Sequence, residues 1–313
     1  MTQLVSIVIP VYDESAGIED NLKTILAVLE GIEGTRFQVL VVDDGSGDDT
    51  ADKVRRLCEK RDDLELLCLN RNFGKEAAVH AGLMHAAGDA VVVMDSDLQH
   101  PPHLIPSMIE LWGKGIEVVE ACKSSRGKET MTSRLLAQGF YNVFNTLTGF
   151  DIKNKSDFKL LDRKVVEAYC AMPERKRFFR GMIPWLGFNT AQVYFDVPER
   201  AHGKSAWPRM RLMRFSLTAL SSFTSTPLHL VTLLGLLFLV ISVVLGGIAL
   251  YDKFTGTAVS GFTTVILLVL ITGSLTMFAL GQIGIYIEQI FDEVKSRPTY
   301  LVNERKSYVR KSD

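Results

Sequence analysis

The stretch "VVVMDSDLQHP", Val91 to Pro101, decides how the rest of the chain is read. Its four leading apolar residues have the habit of a buried strand, yet they run into two aspartates separated by one serine, where burial opposes charge. Side chains alternate along a strand, so Asp95 and Asp97 share a face if the strand continues through them. Two like charges held that close call for a cation.

Working outward from this stretch, short apolar runs alternate with helical patterns up to about residue 200. "LVSIVIP", "FQVLVVDD", "LELLCLN", "AVVVMD" and "GIEVVEA" read as buried strands, while "SAGIEDNLKTILAVLEGI", "DDTADKVRRLCEKR", "GKEAAVHAGLMHAAG" and "PPHLIPSMIELWGKG" read as helices. A β-α-β series of this kind predicts an α/β domain with a mostly parallel sheet, helices on both faces, and ligands beyond the carboxyl ends of the strands. Pro10, Asp43, Asp44, Asp95 and Asp97 all fall at such ends. Carboxylates there, without a His or Cys cluster, suit Mg²⁺ or Mn²⁺ rather than zinc, and Mg²⁺ commonly shares one or two carboxylates with ligand phosphates. The loop "DDGSGDDT" is not a dinucleotide fingerprint: Thr50 stands at the third glycine position, and Asp48 and Asp49 would repel a pyrophosphate. A P-loop is absent as well.

Towards the C-terminus the composition changes. The chain is 313 residues long, 47% hydrophobic, with a formal net charge of -1, and a mean hydropathy of +0.15. The charge gives no sign of a nucleic-acid partner. Phe215 to Tyr251 and Phe262 to Ile287 contain no Asp, Glu, Lys or Arg, and each is long enough for a bilayer core of roughly 30 Å. They are expected to form a membrane hairpin. Arg209, Arg211 and Arg214 precede it, and Lys295, Arg297, Arg305, Lys306, Arg310 and Lys311 follow it, whereas the connecting loop offers only Lys253. The positive-inside rule therefore places the N-terminal domain and both termini in the cytoplasm. "MTQLVSIVIPVYDES" has no features of a signal peptide, and the scattered Cys58, Cys68, Cys122 and Cys170 are expected to be reduced thiols. "WPRMRLMRFSLTALSSF" has the composition of an amphipathic helix in the headgroup plane, and "PERKRFFRGMIPWLGF" reads equally as a membrane-facing loop or a solvated charge cluster. The expected boundaries are 1–200 for the catalytic domain, 201–225 for the interfacial segment, 226–290 for the hairpin and 291–313 for a cytoplasmic tail.

"SIVIPVYDE", "VVDDGSGDDT", "NFGKEAAVHAGLMHAAGD", "MDSDLQHPP" and "SDFKLLDRKVV", in this order and ahead of two apolar spans, resemble the family 2 glycosyltransferases of the GT-A fold. Within them, the chain is most similar to the polyprenyl-phosphate glycosyltransferases, including bactoprenol glucosyltransferases and dolichol-phosphate mannose synthase. The resemblance implies that Pro10, Tyr12 and Glu14 hold the nucleoside and that Asp44 reads its base or ribose. It implies that Asp95, Ser96, Asp97 and Gln99 form the D-x-D region, with Asp97 and Asp95 on the metal, and that Asp157 stands at the reaction centre. Arg200 and Lys204 match basic positions that neutralise phosphates, although "GKSAW" has Ala206 where relatives carry lysine, and Asp13 stands where asparagine is common. Lys75 and Arg126 are further basic candidates for donor and acceptor phosphates.

The reaction so implied is inverting transfer of a sugar, UDP-glucose being the first choice of donor, to undecaprenyl phosphate. The expected cofactor is Mg²⁺ or Mn²⁺. The expected partners are the nucleotide sugar, the lipid phosphate, the bilayer and, in a homo-oligomer, further copies of the chain. A lipid phosphate has a second pKa near 6 by analogy with phosphorylated side chains, so its oxygen is already a nucleophile at neutral pH. A glycolipid synthase with a hydroxyl acceptor would instead need Asp157 as a general base. A non-catalytic scaffold or lipid carrier is the reading from a different class.

Overall fold

A computed structural model describes residues 3–123, 155–175, 177–195, 226–255 and 262–310. The expected series is present. Strand β1 (Gln3–Val11) leads to helix α1 (Ile18–Glu30), β2 (Thr35–Asp43) to α2 (Thr50–Cys58), and β3 (Leu64–Cys68) to α3 (Lys75–His85). After β4 (Ala90–Val93) come α4 (Ile105–Gly113) and β5 (Val118–Lys123). Two further strands lie beyond the series read from the sequence, β6 (Lys155–Asp162) and β7 (Thr190–Phe195), along with α5 (Arg163–Ala171) and α6 (Phe179–Trp185).

The strand order is β3-β2-β1-β4-β6-β5-β7. The pairs β1–β2, β1–β4, β2–β3 and β5–β7 are parallel, whereas β6 runs antiparallel to both β4 and β5. The sheet is thus mostly parallel but mixed. Strand β6 escapes a reading by apolar runs because "KSDFKLLD" interleaves charge with its apolar residues. Its Lys159 is buried by an ion pair with Glu120, its register partner on β5, and a buried charge needs such a partner.

Both faces of the sheet are covered. Val5, Ile7, Ile9, Val39 and Val41 join Ile18, Leu22, Ile25 and Leu29 of α1, Val54 of α2, and Ile105 and Met108 of α4 in one buried cluster. On the other face α3 lies so close that a Cβ at Gly82 would meet Val8 Cγ1 at 2.2 Å and Val42 Cγ2 at 3.1 Å. Only a residue without a side chain permits that approach.

The described residues fall into two compact units, one holding those up to 195 together with 298–310, the other holding the two long helices. In the first unit the chain after the long helices does not hang free as a tail. It forms a strap along β3, the edge strand: Tyr308 and Leu66 exchange backbone hydrogen bonds, Asn303 N–H donates to the Cys68 carbonyl (2.7 Å), and Asn70 N–H donates to the Leu301 carbonyl (2.9 Å). An edge strand leaves backbone groups unpaired, and the strap satisfies them.

The second unit consists of α7 (Thr226–Thr255) and α8 (Phe262–Val294), which touch one another. Helix α8 runs past the expected boundary at 290. Among the described residues one helix is long and apolar enough to cross a membrane, α7, over Val231–Ile248 with a mean hydropathy of 2.7. Its Leu233, Leu236, Val240, Val243, Val244 and Ile248 are exposed. The interfacial segment 201–225 lies outside the described residues.

Candidate active site

The site is built where β1 and β4 stop pairing. Their ladder ends at Val8↔Val93, and Pro10, with no N–H to donate, lies just past it. Beyond this point the chain turns. Asp95 and Asp97 therefore do not share a strand face, as continued β structure would have given; they sit in a turn in which Leu98 has φ 58°. Two residues past the end of β1, Asp13 also has positive φ, 51°. Positive φ is costly for residues other than glycine and tends to persist where the surroundings over-determine it, often at functional sites. Asp13 is held by its own bonds: its N–H donates to Ser46 Oγ (2.9 Å) and its Oδ1 accepts from Gly47 N–H (2.8 Å).

The two turns are tied together. Ser96, buried, donates its hydroxyl to Glu14, whose N–H donates to Thr50 Oγ1 at 2.9 Å. Asp97 is exposed, and its Oδ1 accepts from Gln99 N–H (3.1 Å). Asp44, at the end of β2, is buried and accepts from Phe73 N–H and Gly74 N–H, both at 2.8 Å. It thereby fixes the loop that delivers Lys75. Gly45 completes this junction: its φ is +71°, and a Cβ would lie 2.4 Å from the Arg71 carbonyl carbon. Tyr12 remains 45% exposed at the rim.

Lys75 opens α3, and its Nζ lies 2.6 Å from Asp95 Oδ1 and 3.1 Å from Asp157 Oδ2. Asp157 comes from β6. The antiparallel register pairs Val93 with Lys159, so two further steps bring Asp157 level with Asp95. Its other oxygen meets Arg180, with both Nε and a terminal nitrogen 3.1 Å from Oδ1. Burial alone would raise the Asp157 carboxyl, but Arg180 and Lys75 outweigh it and hold the group well below the usual carboxylate range. Burial likewise opposes the Lys75 charge, yet Asp157 and Asp95 keep its pKa above the ordinary lysine value. Asp157 is consequently a charged anchor for two cations and a weak proton acceptor.

Three participants were not singled out in the sequence as site residues. His100, buried, accepts from Asp95 N–H at Nδ1 (3.1 Å) and stacks on Phe158 of β6 at 5.4 Å, joining the aspartate turn to the strand that carries Asp157. Burial lowers its pKa, and the accepting Nδ1 fits a neutral ring protonated at Nε2. Glu76 accepts from Phe179 N–H (2.8 Å), and its pKa is raised to about 7 by burial first and by Asp157 second. Arg180 belongs to the basic stretch read as a membrane-facing loop or a solvated cluster. Neither reading holds for it or for Arg177, which donates to the Tyr169 and Met172 carbonyls. Proximity to the quoted aspartates and to Lys75 was the signal available for His100 and Glu76, and Arg180 had none of that kind. Arg126, Arg200 and Lys204 lie outside the described residues.

Among the described residues no group of three His, Cys, Asp or Glu side chains could by itself hold a metal ion. The oxygens of Asp97 and Asp95 nevertheless fit Mg²⁺ or Mn²⁺ of the kind completed by ligand phosphates. Asp97 is the better placed, since Lys75 already engages Asp95.

The sequence matches the profile of the family described as Glycosyl transferase family 2 over residues 6–171. It is 36% identical over 306 residues to an uncharacterized glycosyltransferase of Synechocystis sp., covering 97% of this chain and 96% of that one. A bactoprenol glucosyl transferase of Shigella phage SfX is 34% identical over 304 residues, covering 96% of this chain and 99% of that one. Among solved structures, a glucosyl-3-phosphoglycerate synthase from Mycobacterium tuberculosis in complex with uridine diphosphate aligns with a TM-score of 0.53 at 23% identity, covering 70% of this chain and 79% of that one. That likeness concerns the fold alone.

Proposed function

Because the chain belongs to glycosyl transferase family 2, we propose that it transfers a sugar, glucose from UDP-glucose, to a polyprenyl phosphate such as undecaprenyl phosphate, with inversion at the anomeric carbon. Full-length similarity to bactoprenol glucosyl transferases supports the acceptor. The observation that carries the reading is the placement of Asp157 between Lys75 and Arg180. A carboxylate with both oxygens engaged by cations is poorly suited to deprotonate a hydroxyl, but it can position two cations for the arrival of a second anion. A phosphate acceptor needs no base, because it is largely ionised above a pKa near 6.

In this reading Pro10, Tyr12, Glu14 and Asp44 frame the nucleoside, Ser96 and Gln99 shape the turn, and Lys75 faces the donor diphosphate. Arg180 and Lys75 draw in the acceptor phosphate, with Arg126, Arg200 and Lys204 as further basic groups. An acceptor oxygen forms a bond to the anomeric carbon as the bond from that carbon to the diphosphate breaks, and the electron pair leaves with the nucleoside diphosphate. A Mg²⁺ or Mn²⁺ ion on Asp97 and Asp95 would supply Lewis-acid stabilisation of that leaving group.

The lipid acceptor calls for a membrane, and the exposed apolar surface of α7 suits one. Residues 298–310 fold with the N-terminal unit, so the chain leaves that unit before α7 and rejoins it after α8. This suits a hairpin of two spans, and the basic residues flanking it, against the single Lys253 between them, favour a cytoplasmic catalytic domain.

The test is incubation of the purified protein with undecaprenyl phosphate, or with a diacylglycerol, and a panel of labelled UDP- and GDP-sugars. Label in a lipid phosphate-sugar is expected, and its rate should rise through about pH 6 in wild type and in Asp157→Asn alike, the inflection belonging to the acceptor. Transfer to diacylglycerol instead, abolished by Asp157→Asn at every pH, would replace the phosphate acceptor with a hydroxyl one.

A further inference from the structure

The strap does more than cover a strand edge: its start packs on α3, which carries Lys75, and its middle holds the loop that leads into α3. Downstream of the first contact, Asn303 and Leu301 bind the Cys68 carbonyl and the Asn70 N–H, and Ser307 Oγ accepts from Cys68 N–H (2.9 Å). The loop from Asn70 to Gly74 is therefore held on one side by the strap and on the other by the Asp44 carboxylate. Lys75 follows immediately.

At its start the strap touches α3 directly. Thr299 Oγ1 lies 3.4 Å from His80 Nδ1, and the Tyr300 ring stands edge-on to His80 at 5.7 Å and tilted to His85 at 6.5 Å. His80 is buried, and burial together with Arg177 lowers its pKa to about 4, so it is an uncharged packing surface at neutral pH. Beyond His80 the contacts continue to Tyr169 of α5 (6.2 Å) and from Tyr169 to Phe179 of α6 (5.6 Å). Arg177 covers the Tyr169 ring at 4.9 Å. Glu76, one turn before His80, accepts the Phe179 N–H. The residue after Phe179 is Arg180. Tyr300 thus packs at the head of a continuous set of contacts that ends at both cations on Asp157.

We propose that Tyr300 is a positioning residue for sugar transfer, one that fixes α3 and, through Tyr169 and Phe179, the start of α6, so that Lys75 and Arg180 meet Asp157 together. The inference rests on the reading of those three residues as transfer-site groups. Tyr300 follows α8 within a few residues, so the chain leaving the long helices is the same chain that sets the reaction centre.

The experiment uses the full-length protein in detergent or nanodiscs and compares Tyr300→Ala with Tyr300→Phe. Tyr300→Ala is expected to lower kcat about tenfold with the donor KM within about twofold, since the nucleoside contacts lie on β1 and β2. Amide hydrogen exchange should quicken across residues 70–81 and 179–183 while residues 5–9 and 90–93 stay protected. Tyr300→Phe keeps the ring and should match wild type in both measurements. If Tyr300→Ala does not yield folded protein, Tyr300→Leu takes its place with the same expectations. Unchanged exchange at 70–81, uniform loosening of the whole sheet, a kcat within twofold of wild type, or a Phe variant as impaired as Ala would each overturn the proposal. If the wild type transfers no sugar, the proposed function fails, and the exchange pattern alone still decides what the strap does.

Discussion

The ends of β2 and β4 are both rich in aspartate, and their carboxylates have different partners. At the β2 end the acids bind the backbone: Asp43 accepts from Ser46 N–H at 3.3 Å, Asp44 from Phe73 and Gly74, and Asp48 from Ser15 N–H (3.2 Å) and Thr50 N–H (2.9 Å). Burial raises the Asp43 and Asp44 pKa values. At the β4 end, where β6 adds Asp157, Asp95 and Asp157 face cations instead, the exposed Asp97 accepts only from Gln99 N–H among the described residues, and the Asp157 carboxyl is driven the other way. The contrast teaches that an acidic loop at a strand end is not by itself a binding site. Carboxylates bound to backbone N–H groups shape loops, as Asp44 does beside the place proposed for the nucleoside, whereas carboxylates paired with side-chain cations can exchange those cations for ligands.

The largest expected effect tests the β4 end. Asp97→Asn keeps the size of the side chain and removes its charge, and loss of several kcal/mol of leaving-group stabilisation corresponds to about 10³-fold in transfer rate. The unfolding midpoint should stay at its wild-type value. Near-normal transfer in saturating Mg²⁺ or Mn²⁺ would break the comparison by making Asp97 another structural acid.

Glu76 sharpens it, being a carboxylate that accepts a backbone N–H and lies in the field of the cation cluster. Its folded-state pKa of about 7 exceeds the ordinary 4.5, so the folded protein holds this proton more tightly than the unfolded chain. The associated stability is complete below about pH 4.5 and is lost as pH rises through about 7, amounting to at most about 3 kcal/mol. Glu76→Gln carries no titrating proton and should flatten that part of the dependence. Unfolding midpoints recorded from pH 4.5 to 8 for both proteins check this, and parallel curves would remove Glu76 from the argument.

The smallest effect belongs to the β2 end. Asp48→Ala deletes acceptors for two backbone N–H groups next to the start of α2 and should cost about 1 kcal/mol of stability, as loss of a helix cap does. Transfer per folded molecule should change less than twofold. A large loss of transfer in a protein of normal stability would show that the two strand ends are not separate in function.

Much of the α/β series was legible because burial imposes a period on sequence: β1 to β5 and α1 to α4 stand where apolar runs and helical stripes put them, and the acids fall at strand ends. The pair Asp95 and Asp97 was visible for the same reason, since charge beside a buried run marks its end. Strand β6 was not, because its inward Lys159 is satisfied only by Glu120 across the sheet, and no local pattern announces a partner that far away. With β6 went the register that sets Asp157 beside Asp95, the turn inward of Arg180, and the docking of residues 298–310 on β3. By itself the sequence determined which segments are strands and helices and where charge cannot be buried. Tertiary structure alone decided which charges meet, because ion pairs and strand register depend on distances between segments far apart in the chain, which composition and periodicity do not encode.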